Sequence, residues 1–208
     1  MIRTIIFDLG GVILPIFPEQ TVREFEKIGL KNFDKIYTLK KQEHFFDEFE
    51  KGKITAALFR NEIKKHYDRK ITDDQIDFCW NALIGELTPE RFSFLADLKT
   101  KYNLFLLSNT NIIHHTAFTK TFNSLFGKNH FDNLFTNVYY SFQKKMRKPD
   151  REFFDLVIKE NSLRPGECVY IDDNMINAEA AQIAGMNAIH HAEGMNIEHD
   201  LMSVLSAF

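Results

Sequence analysis

Five short apolar runs, each ending in polar or small residues, constrain the fold of this chain more than any other feature. Each run is rich in Ile, Val, Leu, Tyr or Phe and is too short for a helix, which is typical of buried strands. They span residues 3–10, 102–110, 137–142, 168–174 and 186–191. Helical patterns at residues 89–102, 149–163 and 177–185 accompany the later runs. This alternation predicts a Rossmann-like α/β core, in which a parallel sheet carries helices on both faces.

The segment at residues 15–87 has a different character. It contains no strand-like run, and apolar residues recur at helical spacing at residues 19–30, 46–53, 54–67 and 72–84. The segment is too long for a simple crossover between two parallel strands. We therefore expect two domains: an α/β core formed by residues 1–14 and 88–208, and a small all-helical domain formed by residues 15–87.

Composition and charge exclude several classes of function. The 208 residues are 44% apolar and 26% charged with a formal net charge of −3, so nucleic acid is not expected as a partner. No apolar run approaches the roughly 20 residues that span a bilayer, and the first residues lack the pattern of a signal peptide. Cys79 and Cys168 lie far apart without metal-ligand spacing. We therefore expect a cytoplasmic protein with no membrane partner and no disulfide.

Polar side chains follow each of the first four predicted strands. Ligands of an open parallel sheet bind outside the carboxyl ends of its strands, so these side chains are expected to meet in one crevice. In chain order they are Asp8, then Ser108 and Asn109, then Lys144, Lys145, Arg147 and Lys148, then Asp172 and Asp173. Each also has an ordinary interpretation as a helix cap, a turn or a solvated loop. Together they supply carboxylates for a hard cation, a hydroxyl and a fixed positive charge, which handling a phosphoryl group with magnesium requires.

These strand ends form four motifs that resemble the haloacid dehalogenase (HAD) superfamily of aspartate-nucleophile phosphohydrolases. The motifs are FDLGGV, LLSNT, RKP and YIDDNMINAEAAQIAG, and the resemblance covers essentially the whole chain. The helical segment at residues 15–87 lies where this superfamily carries a C1-type cap. Within the superfamily, FDLGGVI, LSNTN, MRKP, IDDNxxN and EKGKIT look most like the bacterial α-glucose-1-phosphate phosphatase branch.

The resemblance implies how a small-molecule phosphate ester would be handled. Asp8 would attack phosphorus and become an aspartyl-phosphate, which splits one difficult hydrolysis into two easier steps. Ser108 and the amide of Asn109 would hold phosphate oxygens. Lys148 would neutralise Asp8 and the transferring phosphate.

The resemblance also implies a magnesium site. Asp8, the backbone carbonyl of Gly10 and Asp173 would bind Mg²⁺. Asp172 would be a supporting acid. Asn177 falls where many relatives place another acid, and its implied contribution is through water.

Gly10 marks a departure from the family pattern. Most phosphatases of this superfamily carry an aspartate at this position, and it protonates the leaving group. General acid–base help of this kind is typically worth ~10²–10⁴-fold in rate. A chain without it is expected to favour leaving groups that depart unprotonated, such as an anomeric sugar hydroxyl. Alternatively, the cap supplies the acid. The candidates are His44, Asp47 and Glu50, for which a solvated helix face is the simpler interpretation.

The leading hypothesis is a magnesium-dependent phosphatase acting on a small phosphorylated metabolite, with a sugar 1-phosphate as one option. A 2-haloacid dehalogenase also lacks the acid at position 10 but needs no metal, and the Asp172–Asp173 pair argues against it. A third hypothesis is a binding protein that kept the fold and lost the acid.

Gly11 is interpreted as room for the backbone near the cap hinge. The remaining histidines, expected at the surface, include His114, His115, His190, His191 and His199.

Overall fold

The fold is built on a five-stranded parallel sheet with the strand order β3-β2-β1-β4-β5. A computed structural model describes residues 1–37, 43–67, 70–192 and 194–206. The strands are β1 (Thr4–Phe7), β2 (Asn103–Ser108), β3 (Asn137–Tyr140), β4 (Cys168–Asp172) and β5 (Asn187–His190). The pairings β1–β2, β1–β4, β2–β3 and β4–β5 are all parallel. The predicted α/β fold class and all five predicted strands are therefore confirmed.

Helices fill the connections between the strands. Within the described part of residues 15–87, four helices follow β1. They are α1 (Pro18–Lys27), α2 (His44–Glu50), α3 (Ala56–Lys64) and α4 (Asp73–Asn81). The others are α5 (Pro89–Lys99), α6 (Ile112–Phe126), α7 (Ser141–Lys144), α8 (Arg151–Glu160), α9 (Met175–Ile183) and α10 (Ile197–Ser206). Short 3-10 turns lie at Phe33–Lys35, Asp132–Leu134 and Pro165–Glu167. No helix among these described residues is both long and apolar enough to cross a membrane.

Local chemistry fixes several helix ends. The Thr72 hydroxyl accepts from the Gln75 backbone N–H at the start of α4, and the Gln75 side chain accepts from the Thr72 N–H, which completes a capping box. Thr88 caps α5, whose first residue is Pro89. Gly185, with φ of +91°, follows the end of α9 as its place in the sequence predicts.

Both faces of the sheet are buried, as parallel strands between helices require. One face packs residues such as Phe7, Leu106 and Ile171, and the opposite face packs Phe105 and Tyr170. Successive residues of a strand therefore pack into hydrophobic clusters on opposite faces of the sheet.

Helices α1–α4 and the described segments that join them, which we call the cap, enclose a third hydrophobic cluster. Aromatic side chains dominate it, including Phe25, Phe46, Phe59 and Trp80. The cap thus has an interior of its own, although the exact division of the chain at residues 14 and 88 stays a prediction.

Candidate active site

The ends of three neighbouring strands bring the predicted site residues together. Asp8 directly follows β1, Ser108 ends β2 and Asp172 ends β4. Because β1 pairs with both β2 and β4, these side chains meet at one edge of the sheet. A cavity of about 160 Å³ opens there, and Asp8, Ser108 and Asp173 lie on its wall.

Lys148 is buried between two carboxylates. Its side chain is 0% exposed, and its Nζ lies 2.8 Å from Asp8 Oδ1 and 2.7 Å from Asp172 Oδ2. Burying an ammonium group is costly unless it is paired, so Lys148 depends on both partners. Asp8 Oδ1 also accepts a hydrogen bond of 2.7 Å from the Leu9 N–H. The predicted charge neutralisation of Asp8 by Lys148 is thus geometrically possible.

Asn109 holds the backbone of Lys148 in place. Its side-chain nitrogen donates to the Lys148 carbonyl and its side-chain oxygen accepts from the Lys148 N–H, both at 2.9 Å. This reciprocal pair joins the loop after β2 to the loop after β3 across 39 positions of sequence. The Asn109 carboxamide is therefore a positioning group for Lys148. The predicted phosphate contact of Asn109 stays a prediction and concerns its backbone N–H.

Asp172 has partners for both of its oxygens. Oδ1 accepts from the Asn174 N–H at 2.8 Å and from Asn177 Nδ2 at 3.0 Å. Oδ2 accepts from Lys148 and from the Tyr170 hydroxyl. A carboxylate with this many donors is fixed and ionised, which suits the supporting position predicted for Asp172. Asn177 thus contacts Asp172 directly, and its predicted contribution through water stays a prediction.

Asp173 lies against the backbone of Gly11. Gly11 has φ of +73°, and a Cβ built there would overlap the Asp173 carboxylate. The His190 imidazole Nε2 lies 3.0 Å from the Asp173 carbonyl and donates to it. Gly11 therefore makes room for the Asp173 carboxylate, and its interpretation as room for the backbone near the cap hinge stays a prediction.

The site holds more negative than positive charge. Burial raises the pKa of Asp8 to about 8, against the opposing effect of Lys148. Burial also raises the pKa of Asp173 to about 6, and the neighbouring Asp172 carboxylate adds to this. Burial by itself lowers the pKa of Lys148, but Asp172 and Asp8 reverse that and raise it overall. Three carboxylates thus share one ammonium group.

This donor set fits a hard divalent cation. One oxygen from each of Asp8, Asp172 and Asp173 lies within 4.8 Å of the others. Oxygen-only sites with excess negative charge are those that Mg²⁺ and Ca²⁺ prefer. Because the Asp172 oxygens are occupied by donors, Asp8 and Asp173 are the carboxylates suited to direct ligation.

The end of α2 brings the cap against the core. The Gly52 N–H donates to Phe49 O at 2.9 Å and the Lys53 N–H to Glu48 O at 2.8 Å, which is a Schellman motif around a residue with φ of +61°. A Cβ built at Gly52 would overlap the Phe142 carbonyl of the core. The Ser141 hydroxyl donates to Glu50 O at 2.7 Å.

Glu50 consequently faces the cavity rather than solvent. It lies on the cavity wall with Asp8, and its carboxylate is 3.0 Å from Arg147 Nη2. Arg147 also pairs with Asp47, one turn earlier on α2. Of the three cap candidates, only His44 has a largely solvated side chain, at 85% exposure. The solvated interpretation of Glu50 was wrong.

Comparison with known proteins shows the family of the chain. A family model described as haloacid dehalogenase-like hydrolase matches residues 2–185. The chain belongs to the haloacid dehalogenase-like hydrolases. The resemblance stated from the four motifs is thereby confirmed at the family level.

The chain is similar to two named phosphatases and to a HAD family enzyme of known crystal structure. A D-ribitol-5-phosphate phosphatase from Bacteroides thetaiotaomicron is 29% identical over 208 residues, covering 100% of both chains. A sesquiterpene phosphatase from Aspergillus oryzae is 27% identical over 198 residues, covering 93% of this chain and 91% of the relative. The crystal structure of a HAD family enzyme from B. thetaiotaomicron, an aspartate-to-alanine variant with magnesium and inorganic phosphate, has a TM-score of 0.91 and 32% identity. That alignment covers 96% of this chain and 98% of the other.

Sequence reasoning missed several residues on the cavity wall of this hydrolase. Tyr37 and Trp80 come from the cap and His114 from α6. His114 was expected at the surface, but it is buried: its ring stacks on Trp80 with centroids 4.8 Å apart. His191 is also buried. No local pattern predicts such contacts, because Trp80 and His114 are 34 positions apart and meet only in the folded chain.

Two other basic residues that follow β3 in the chain have separate partners. Lys144 pairs with Glu160 at 3.2 Å, whereas Arg147 joins the cap. The basic residues after β3 therefore have different places: Lys144 lies at the surface, Arg147 contacts the cap, and Lys148 lies in the site.

Proposed function

We propose that this HAD-like hydrolase is a Mg²⁺-dependent phosphatase that hydrolyses a small phosphorylated sugar or alditol through an aspartyl-phosphate on Asp8. The observation that carries the proposal is the burial of Lys148 between Asp8 and Asp172 at the end of the sheet. A buried lysine held by two carboxylates is poised to neutralise charge on a transferring phosphoryl group. We also propose the division into a core of residues 1–14 and 88–208 and a cap of residues 15–87.

Asp8, the Gly10 carbonyl and Asp173 are the groups that would hold Mg²⁺. The excess negative charge around Lys148 and the close packing of the Asp173 carboxylate against Gly11 support this assignment. When bound, Mg²⁺ would neutralise phosphate oxygens and favour the ionised carboxylates. The magnesium and phosphate bound by the B. thetaiotaomicron HAD enzyme agree with it.

The protein groups would act in a defined order. The Asp8 carboxylate attacks phosphorus while the Ser108 hydroxyl and the Asn109 N–H hold phosphate oxygens. Lys148 neutralises the charge that builds on the phosphoryl group, and the Asn109 side chain holds the backbone of Lys148 in place. Water then hydrolyses the aspartyl-phosphate and restores Asp8.

The cavity and the relatives support the proposed substrate class. A space of about 160 Å³ enclosed partly by cap residues favours a small ester. Gly10 lacks an acid, which favours a good leaving group such as the anomeric hydroxyl of a sugar 1-phosphate. The related B. thetaiotaomicron phosphatase is instead named for an alditol 5-phosphate, and the leaving group of that ester is a primary alcohol. Both belong to the polyhydroxylated phosphate monoesters proposed here.

A panel of phosphate esters with and without Mg²⁺ tests the proposal. We expect turnover of sugar or alditol phosphates with Mg²⁺, none with excess chelator, and a loss on the order of 10⁴-fold or more in Asp8→Asn. Asp155→Asn, which changes an exposed aspartate paired with Arg151 on α8, should match wild type. Absence of turnover even with an activated aryl phosphate would contradict the proposal. Chloride release from 2-haloacids in the presence of chelator would favour a dehalogenase instead.

A further inference from the structure

The proposed phosphatase lacks a proton donor in the position where the family provides one. Residue 10 is glycine, and its backbone can bind a metal but cannot protonate an alcohol. A primary alcohol is a poor leaving group when it departs as an alkoxide. Hydrolysis of an alkyl phosphate by this chain therefore requires an acid from another part of the cavity.

Few titratable groups line the cavity, and most have another task. They are Asp8, Tyr37, Glu50, His114, Arg147 and Asp173. Asp8 and Asp173 are assigned to attack and metal binding. Both ring nitrogens of His114 are engaged, since Nε2 lies 3.0 Å from Trp80 O and Nδ1 lies 3.2 Å from Asn111 Nδ2.

Arg147 and Tyr37 are unsuited to transfer a proton near neutral pH. A guanidinium group does not deprotonate in proteins. Burial raises the pKa of the Tyr37 phenol far above its ordinary value, and the Glu50 carboxylate adds to this. Glu50 is the remaining carboxyl on the cavity wall. Resting on the proposed phosphatase function, we propose that Glu50 of the cap is the acid–base residue that replaces the missing acid at position 10.

Burial of Glu50 favours its holding a proton, and the neighbouring Asp47 carboxylate adds to this. Asp47 and Glu50 both pair with the guanidinium of Arg147, so the Asp47 carboxylate lies beside Glu50. Burial raises the pKa of Glu50; Arg147 and Lys148 oppose this and Asp47 reinforces it. Asp47 has a side chain that is 37% exposed, against 18% for Glu50. Burial therefore suits Glu50 to hold a proton that it can donate.

Glu50 would donate a proton in the first half-reaction and take one back in the second. Asp8 Oδ forms a bond to phosphorus as the bond between phosphorus and the ester oxygen breaks. The departing oxygen keeps the bonding pair and takes the proton of the Glu50 carboxyl. In the second half-reaction water attacks the aspartyl-phosphate and loses a proton to the Glu50 carboxylate. Phosphate leaves, and Asp8 and Glu50 return to their starting states.

The leaving-group dependence of Glu50→Gln tests this role. For D-ribitol 5-phosphate and other alkyl phosphates, we expect kcat/KM to fall by ~10²–10⁴-fold. For para-nitrophenyl phosphate, whose leaving group departs without a proton, the fall should be less than about tenfold. The ratio kcat/KM reports only the steps through alcohol departure, so a slow second half-reaction does not distort the comparison. The alkaline limb of the alkyl-phosphate pH profile should also disappear.

Asp47→Asn is the matched control. It removes the other carboxylate on Arg147 from the same helix, and Asp47 is not on the cavity wall. Because it keeps the Glu50 carboxyl but removes a neighbour that raises the pKa of Glu50, its ratio of alkyl to aryl kcat/KM should match wild type on the acidic side of the pH profile and fall at lower pH than wild type on the alkaline side. If Glu50→Gln does not fold, Glu50→Asp, which withdraws the carboxyl by one methylene, should show the same selective loss on alkyl phosphates.

Three outcomes would overturn the role of Glu50. Equal losses on alkyl and aryl phosphates would show that Glu50 only supports Arg147 or the cap. Unchanged alkyl-phosphate turnover in Glu50→Gln would place the acid elsewhere. Wild-type turnover of aryl but not alkyl phosphates would show that the chain has no working acid, while the proposed phosphatase function would stand.

Discussion

At the scale of single residues, the contact between Gly11 and Asp173 determines where the proposed metal ligand lies. Gly11 has φ of +73°, and the Asp173 carboxylate occupies the space that a Cβ would take. Gly11→Ala therefore has to displace the carboxylate or the backbone that follows Asp8. We expect the Mg²⁺ concentration for half-maximal activity to rise by ~10–100-fold, as when the support of a metal ligand is disturbed. A titration of activity against Mg²⁺ measures this.

Gly194→Ala is the control for backbone strain alone. Gly194 has φ of +84°, but a Cβ there would meet no atom within 4 Å. This variant should lose some stability and keep the wild-type Mg²⁺ requirement. An unchanged Mg²⁺ requirement in Gly11→Ala would mean that Asp173 is not a ligand held in this place.

Individual site residues could be predicted from the sequence where a motif fixes their place at a strand end. Asp8, Ser108 and Asp172 lie where the strand pattern puts them, since adjacent parallel strands end together. The purpose of Gly11 could not be predicted in this way, because it depends on an acid more than 160 positions later that only folding brings close. The exposure of Glu50 was misjudged for the same reason: Arg147 and Ser141 reach it from a distant loop.

At the scale of elements, the end of α2 determines whether Glu50 reaches the cavity. Gly52 closes α2 with φ of +61°, and its Cα touches the segment at Phe142 so closely that a methyl group would overlap the Phe142 carbonyl. Gly52→Ala should push the end of α2 away from the core. A displacement of about 1 Å can cost ~10²-fold in rate, so we expect a fall of ~10–100-fold in kcat/KM for an alkyl phosphate.

Gly127→Ala separates this effect from simple helix-end strain. Gly127 also ends a helix with positive φ, of +93°, but its nearest neighbour is the His130 ring at 3.2 Å. Both variants should unfold at lower temperature, and only Gly52→Ala should lose turnover. Wild-type kcat/KM in a folded Gly52→Ala would show that the close contact with Phe142 does not position Glu50.

Most elements could be predicted from periodicity, and the exceptions have physical causes. Strands apolar on both faces were recognisable as short runs, and both faces are buried. Helix α6 was not predicted, although it is the longest among the described residues. Its sequence IIHHTAFTKTFNSLF is rich in β-branched residues and histidine, which have low helix propensity. The Asn111 cap and the tertiary contact with Trp80 stabilise it instead.

At the scale of the whole molecule, His114 links the stability of cap and core to pH. Its Nε2–H donates to the Trp80 carbonyl, so Nδ1 must accept from the Asn111 amide, whose oxygen already caps α6. This arrangement needs a neutral ring. Burial lowers the pKa of His114 from the ordinary 6.5 to about 4. Between those values the unfolded chain binds more protons than the folded one, so the free energy of unfolding falls as the pH falls.

The contribution of His114 is therefore complete above pH 6.5 and lost as the pH approaches 4. With ~1.4 kcal/mol for each pKa unit, it amounts to about 3 kcal/mol. In urea denaturation at a series of pH values, His114→Phe should be less stable than wild type at pH 7 because it loses two hydrogen bonds. Its stability should then decline less than that of wild type on acidification, since phenylalanine takes no proton. His199→Gln, at an exposed position of α10, should keep the wild-type slope. Equal slopes for His114→Phe and wild type would show that the ring is not held neutral between cap and core.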